Sequence, residues 1–215
     1  MKTLSAPFIR ALALAAAAFM ATFAAVSTAQ AIEEPAFEVV RTLKDQVELR
    51  RYTPYVVAEV LVPGPSEEAD NQAFPILAGY IFGKNQGERK LEMTAPVTQA
   101  AAPVKLPMTA PVTQTSAAGG FMVQFVLPRS VTLATAPQPL DGRVMLREVP
   151  ASRVAAIRFS GFWSEANYQQ HLAQLQAALK EAGQPWNGEP VYARYNGPLT
   201  PWFLRRNEIW LALPD

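Results

Sequence analysis

Few side chains in this sequence can carry chemistry, and their scarcity narrows what it can do. His171 is the only histidine and cysteine is absent, so no closed zinc site can be assembled, and imidazole ligation of a metal must use that one residue. A ligating His171 needs its second ring nitrogen held by a partner; the competing reading is an ordinary histidine on a helix flank. Met93 and Met108 hold equivalent places in two copies of the heptapeptide MTAPVTQ, Met93 to Gln99 and Met108 to Gln114. Thioethers are soft metal donors, and they also fill irregular gaps in cores. Arg205, Arg206, Asn207 and Glu208 are adjacent. Strand alternation puts Arg205 and Asn207 on one face, and Arg206 and Glu208 on the other. One guanidinium could grip a ligand carboxylate, or Arg206 could pin the strand through Glu148 or Glu59. Glu59, Glu148 and Glu208 are the carboxylates that could act as a general base inside a closed sheet. There is no Gly-x-Ser-x-Gly elbow and no phosphate-binding loop.

The elements that would position these groups read as mixed α and β. Val47 to Tyr52 alternates as a strand, and Tyr55 to Val62 (YVVAEVLV) is a stronger one, ended by Pro63-Gly64-Pro65. Ser66 with Glu67, Glu68 and Asp70 marks a helix start, and the helix runs to about Phe82, with Gly83 as its stop. Pro75 conflicts with it and predicts a kink or a late start. The two heptapeptides predict short strands, Leu91 to Thr98 and Leu106 to Thr113, joined by the loop Gln99 to Lys105. Pro96 and Pro111 point to sheet edges or bulges. Phe121 to Leu127, Val144 to Val149 and Arg153 to Phe159 read as strands. Ser164 caps a second helix with Tyr168, Leu172, Leu175, Leu179 and Ala182 at helical spacing, stopping at Gly183. Strands follow at Pro190 to Tyr195 and Asn207 to Leu213. Strand pair, helix and further strand occur over 47–97 and again over 144–195, an α+β pattern with a duplicated β-α-β unit and pseudo-twofold symmetry. A groove is expected at the symmetry axis. Trp202 and Trp210 read as core aromatics.

Lys2 and Arg10 precede an apolar run, Ala11 to Val26, and Ala29-Gln30-Ala31 fits small-x-small cleavage. This is the pattern of an export signal spanning residues 1–31, leaving a single domain over 32–215. Removing Lys2 and Arg10 from the 19 basic residues leaves 17 against 18 acids. Near-neutral charge without a basic stripe argues against a nucleic-acid partner. No other stretch is long and apolar enough to span a bilayer. The expectation is a periplasmic or secreted monomer with no stable membrane insertion after cleavage.

Four separated blocks carry a resemblance. AFPILAGYIFG at Ala73 to Gly83, LEMTAPV at Leu91 to Val97, LREVPASRVAAIRFSG at Leu146 to Gly161 and RRNEIWL at Arg205 to Leu211 resemble the SOUL haem-binding family. The similarity runs from about Phe37 to Leu213. It implies a distorted antiparallel β-barrel with two flanking helices, akin to bacterial effector-binding domains. It also implies non-covalent b-type haem or a porphyrin as cofactor, held in an apolar groove beside the first helix. On that reading Phe74, Leu77, Ala78 and Ile81 line the groove. Met93 and Met108 add to its wall, His171 is a candidate axial ligand, and Arg205 meets a propionate. The family's basic groove positions fall on Asn71, Gly79 and Thr200.

Three functions follow from these readings. The first is reversible binding of a tetrapyrrole for carriage, buffering or sequestration outside the cytoplasm, with no enzymatic activity. The second is a binding module for other small planar or amphipathic ligands, and the third a hydrolase that uses a glutamate inside the barrel.

Overall fold

A computed structural model describes residues 32–86 and 103–214. The leader and the first heptapeptide, with Met93 and its expected strand, lie outside the described residues. Nine strands form one antiparallel sheet: β1 (Phe37–Thr42), β2 (Glu48–Tyr52), β3 (Tyr55–Val62), β5 (Val112–Ala117), β6 (Gly120–Val126), β8 (Met145–Val149), β9 (Ser152–Phe159), β10 (Asn187–Arg194) and β11 (Asn207–Ala212). Their spatial order is β1-β2-β9-β11-β10-β5-β6-β3-β8, a half-barrel. Two short strands, β4 (Asn85–Gln86) and β7 (Gln138–Pro139), pair separately. Helices α1 (Ser66–Ile81) and α2 (Glu165–Glu181) pack on the sheet.

The spatial order shows how the duplicated unit is assembled. One unit is β2-β3-α1-β5-β6 and the other β8-β9-α2-β10-β11. In each, the last three strands in space form a hairpin-linked group, β5-β6-β3 and β10-β11-β9. The first strand of each unit joins the other unit's group: β2 pairs with β9, and β8 pairs with β3. This exchange means neither half completes its sheet alone. The two groups meet at the β5–β10 seam, where only three residue pairs align: Tyr192 with Gln114, Ala193 with Thr113, and Arg194 with Val112.

Each helix is placed by its apolar face. Ala69, Ala73, Leu77 and Tyr80 of α1 are buried with Val60, Val123 and Phe125 of the sheet. Tyr168, Leu172, Leu175 and Leu179 of α2 are buried with Ile157, Ile209 and Leu211. Ala182 falls at the exposed C-cap of α2. Ser164 caps α2 as expected, its hydroxyl accepting from the Asn167 amide at 3.3 Å. Ser66 does not cap α1: Pro65 holds the N-cap position and Ser66 is already helical. The helix continues through Pro75, which leaves the Asn71 carbonyl without its usual amide donor.

Several expectations are corrected. The second heptapeptide is not a strand throughout: residues 103–111 are irregular, and β5 begins at Val112, after Pro111. Nor is β5 an edge strand, since it pairs with both β6 and β10. Proline is tolerated because it precedes the ladder and so removes no donor from it. Trp210 is a core residue, but Trp202 is about half exposed, stacked on Phe162 at 5.1 Å. It lies in a short 3-10 turn, Trp202–Leu204, outside the sheet, where no opposing layer covers it. At the β5–β6 turn Gly120 has φ +151, and an added Cβ would meet the Val62 carbonyl oxygen at 2.1 Å, so only glycine fits there.

Candidate functional site

Along α1, residues four apart share a face, which sets Asp70 beside Phe74 and Asn71 beside Pro75. These four line one side of a cavity of about 390 Å³. Val123 and Phe125 of β6 make its floor, and Phe74 meets Phe125 edge-on at 5.6 Å. The second heptapeptide supplies Met108, Thr109, Ala110 and Val112. Arg194 to Pro198, at the end of β10, close the far side with Trp163. The cavity therefore lies at the end of the β5–β10 seam, where a groove is expected from the duplicated pattern. Phe74 is 47% exposed and Met108 37%, so apolar surface stands open at the mouth.

The strap that carries Met108 is anchored by one buried amide. Asn85 donates to the carbonyls of Tyr80 and Val104 at 2.7 and 2.8 Å, and its own oxygen accepts from the Val104 amide at 2.9 Å. The Leu106 amide donates to the Ile81 carbonyl at 2.9 Å. Further along, the Thr109 hydroxyl donates to the Val126 carbonyl and the Ala110 amide to the Glu33 carbonyl. The strap thus crosses the C-terminal end of α1. That decides which expected groove residues are accessible. Phe74 lines the cavity, whereas Leu77, Ala78 and Ile81 are buried in the core and do not. Ala78 and Ile81 lie near Phe74 on a helical wheel, but the strap covers that end of the helix.

The remaining candidates scatter. Met108 lines the cavity. His171 does not: it is half-buried on α2, stacked on Phe159 at 4.1 Å, with Nδ1 2.8 Å from the Asn167 carbonyl. Since a carbonyl can only accept, Nδ1 carries the proton there. Arg205 sits one ring away from the cavity. Its guanidinium lies 4.3 Å from the Trp163 ring and donates to the carbonyls of Thr200 and Pro198, at 2.8 Å each. Among the described residues, no group of three or more His, Cys, Asp or Glu is placed to hold a metal ion.

A residue that sequence reasoning passed over supplies the cavity's charge. Arg194 is 11% exposed and forms an ion pair with Asp70. Its Nε donates to the Tyr168 hydroxyl at 2.9 Å, and its guanidinium carbon lies 4.8 Å from the Trp163 ring. Burial, helped by the Arg205 charge, pushes its pKa down to about 10. The touching Asp70 carboxylate opposes that shift, and Arg194 is cationic at neutral pH in either case. Alternation in the YARY run gave a signal, because Arg194 shares a strand face with Tyr192. Asp70 was read only as a helix-start acid.

The three glutamates supply no poised base. Glu148 is exposed. Glu59 pairs with Arg147 at 3.1 Å and accepts from Gln124. Glu208 is wholly buried, taking two bonds from Arg50 at 2.7 and 3.2 Å and one from Arg206 at 3.0 Å. The Tyr195 hydroxyl and Trp210 indole complete its shell at 3.0 and 2.8 Å. Arg206 pairs with Glu208 and Glu34, not with Glu148 or Glu59. Burial pushes the Glu208 carboxyl up, but the Arg50 and Arg206 charges and the Trp210 bond hold it below the ordinary value. A general base needs the opposite shift.

The sequence and the fold agree with known proteins. The family model described as SOUL heme-binding protein matches residues 32–212. The chain belongs to this family. Human Heme-binding protein 2 is 30% identical over 190 residues, covering 86% of this chain and 88% of that protein. Mouse Heme-binding protein 1 is 30% identical over 149 residues, covering 69% and 73%. Among solved structures, the C-terminal domain of EcmrR aligns with TM-score 0.53 at 14% identity, covering 79% of this SOUL chain and 98% of that one. A hydrolase from Listeria innocua aligns with TM-score 0.56 at 13% identity, covering 80% and 94%. At such identities the likeness shows the fold alone.

Glu208→Gln leaves the buried Arg50 and the half-buried Arg206 without their shared anion and should cost about 3 kcal/mol in denaturant unfolding. Because the folded carboxyl titrates below its unfolded value, its contribution is complete above the unfolded pKa and is lost as pH falls through the folded one. Stability measured from about pH 6 down to about pH 3 should fall less steeply in the variant than in the native chain. Parallel profiles would contradict this assignment.

Proposed function

We propose that this SOUL protein binds haem, or a related tetrapyrrole, reversibly and non-covalently in the cavity at the end of the β5–β10 seam. The observation that carries the reading is the cavity's composition. Phe74, Met108, Val112, Val123 and Phe125 give it an apolar lining between two indole- and phenol-bearing walls, Trp163 and Tyr195. A flat macrocycle is held mainly by burial of apolar area, and a half-open slot at the protein surface lets it enter edge-first. With cysteine absent, a thioether link to the chain cannot form.

The residues present fit such a guest without demanding a protein imidazole. Met108 brings a thioether into the lining, a donor used at haem iron; His171 lies elsewhere. Bound haem would supply redox and axial-ligand chemistry, while the chain's residues orient the ring and exclude water. Positions that are basic in relatives by resemblance hold Asn71, Gly79 and Thr200. This favours a second reading, a module for other planar or amphipathic ligands, though Arg194 restores one cation to the wall.

The biological role we assign is carriage, buffering or sequestration outside the cytoplasm by a monomer. Its support is the leader pattern at 1–31. Cleavage after Ala31 would leave the new α-amino group on Ile32, itself a cavity-lining residue.

Haemin titrated into the purified chain should give a saturable Soret shift at micromolar protein. Phe74→Ala should weaken binding about tenfold, the scale of losing an aromatic contact of about 1.4 kcal/mol. No saturable shift would sink the tetrapyrrole reading, and a different ligand eluted from native material would support the second. In cells, amino-terminal sequencing of the periplasmic fraction should begin at Ile32; a product retaining residues 1–31 would contradict export with cleavage.

A further inference from the structure

The charge in the cavity lining is concentrated in one ion pair, beside the neutral polar side chains of Asn71, Thr109, Tyr195 and Asn196, and its geometry is one-sided. Arg194 enters the wall from β10, directly opposite Val112 of β5. Its Nε is committed to the Tyr168 hydroxyl and its Nη1 to Asp70. Trp163 and Tyr168 flank the guanidinium plane at 4.8 and 5.8 Å. Two fixed edges and two rings leave the fork with no freedom to turn. Among the described residues, Nη2 has no acceptor. A second guanidinium, Arg205, also lies over the Trp163 ring, 4.3 Å from its centroid. The nearest acid on α2, Glu165, is at the exposed start of that helix and accepts from Gln169 at 2.7 Å. Among the described residues that line the cavity, Asp70 is the one acid and Arg194 the one guanidinium.

We infer that Arg194 selects guests bearing a free carboxylate, with Nη2 as the donor and Asp70 as the group that moderates its strength. The inference rests on the tetrapyrrole reading and adds to it the guest's required functional group. A guanidinium is a fork that serves several acceptors at once. With Nε and Nη1 held, an entering carboxylate finds Nη2 already oriented, and the charge-assisted bond forms without ordering a flexible side chain. An ester at the same place offers a weaker, uncharged acceptor. Asp70 has two effects: it holds the fork in position, and its own charge repels the incoming anion. A neutral side chain of the same shape at position 70 keeps the space and removes the repulsion.

The test uses metal-free protoporphyrin IX and its dimethyl ester, so that iron ligation plays no part. Each is titrated by fluorescence into the full chain, into Asp70→Asn, and into the double variant Asp70→Asn/Arg194→Gln. The double variant removes both charges together and so leaves no buried ion unpaired. The native chain should bind the diacid about tenfold more tightly than the diester, the size of one charge-assisted hydrogen bond. Asp70→Asn should widen that ratio several-fold, and the double variant should bring it close to one. Equal affinity of the native chain for diacid and diester overturns the inference and leaves the tetrapyrrole reading intact. So does a preference that survives in the double variant. Failure of the native chain to bind either porphyrin removes the tetrapyrrole reading, and this inference with it.

Discussion

The Glu208 carboxylate is the point on which this architecture converges. It is fully buried, yet ringed by Arg50 from β2, Arg206 from just before β11, Trp210 from its own strand, and Tyr195 from beyond β10. Removing such a charge from water costs several kcal/mol, which only a complete shell of donors can offset. The shell can be complete only if β2 has crossed from its own unit to the other, because Arg50 reaches Glu208 from there. The ion cluster is therefore complete in the exchanged arrangement, where β2 lies beside β9. Through Arg206 it also ties down Glu34, and with it the segment leading into β1.

The same cluster reaches the cavity in one step. Tyr195 gives its hydroxyl to Glu208 and also lines the slot beside Arg194. Its neighbour Ala193 is buried in the seam. A wall built this way is rigid on the β10 side, while the opposite rim, Phe74 and Met108, is exposed. One firm wall and one open rim suit a guest that must be both held and released. Reversible binding, as proposed, requires the same balance, since each tenfold in affinity is only about 1.4 kcal/mol.

Much of this was legible in the residues before any coordinates. The apolar, β-branched runs YVVAEVLV and RVAAIRF mark β3 and β9, and the Tyr168/Leu172/Leu175/Leu179 stripe marks α2, because one buried helix face imposes one period. Repetition of strand, helix and strand located the groove at the axis. What was not legible depends on long-range covering. Phe74, Ala78 and Ile81 look alike on a helical wheel, and only the strap bonded through Asn85 and Leu106 separates the open residue from the covered ones. Pro111 suggested a sheet edge, yet it precedes a central strand. Arg194 and Asp70 lie 124 positions apart, and nothing local to either announces that they meet. His171 drew attention by its rarity alone, and the fold stacks it on Phe159, away from the cavity.

The central claim is that the slot between Phe74 and Trp163 is where a tetrapyrrole lodges. A crystal structure of residues 32–215 with a bound porphyrin tests it most directly. The macrocycle is expected to lie over Phe125, edged by Phe74 and Met108, with a carboxylate turned toward Arg194. A ring found instead against His171 and Phe159 on the α2 side, with the slot empty, would contradict the account.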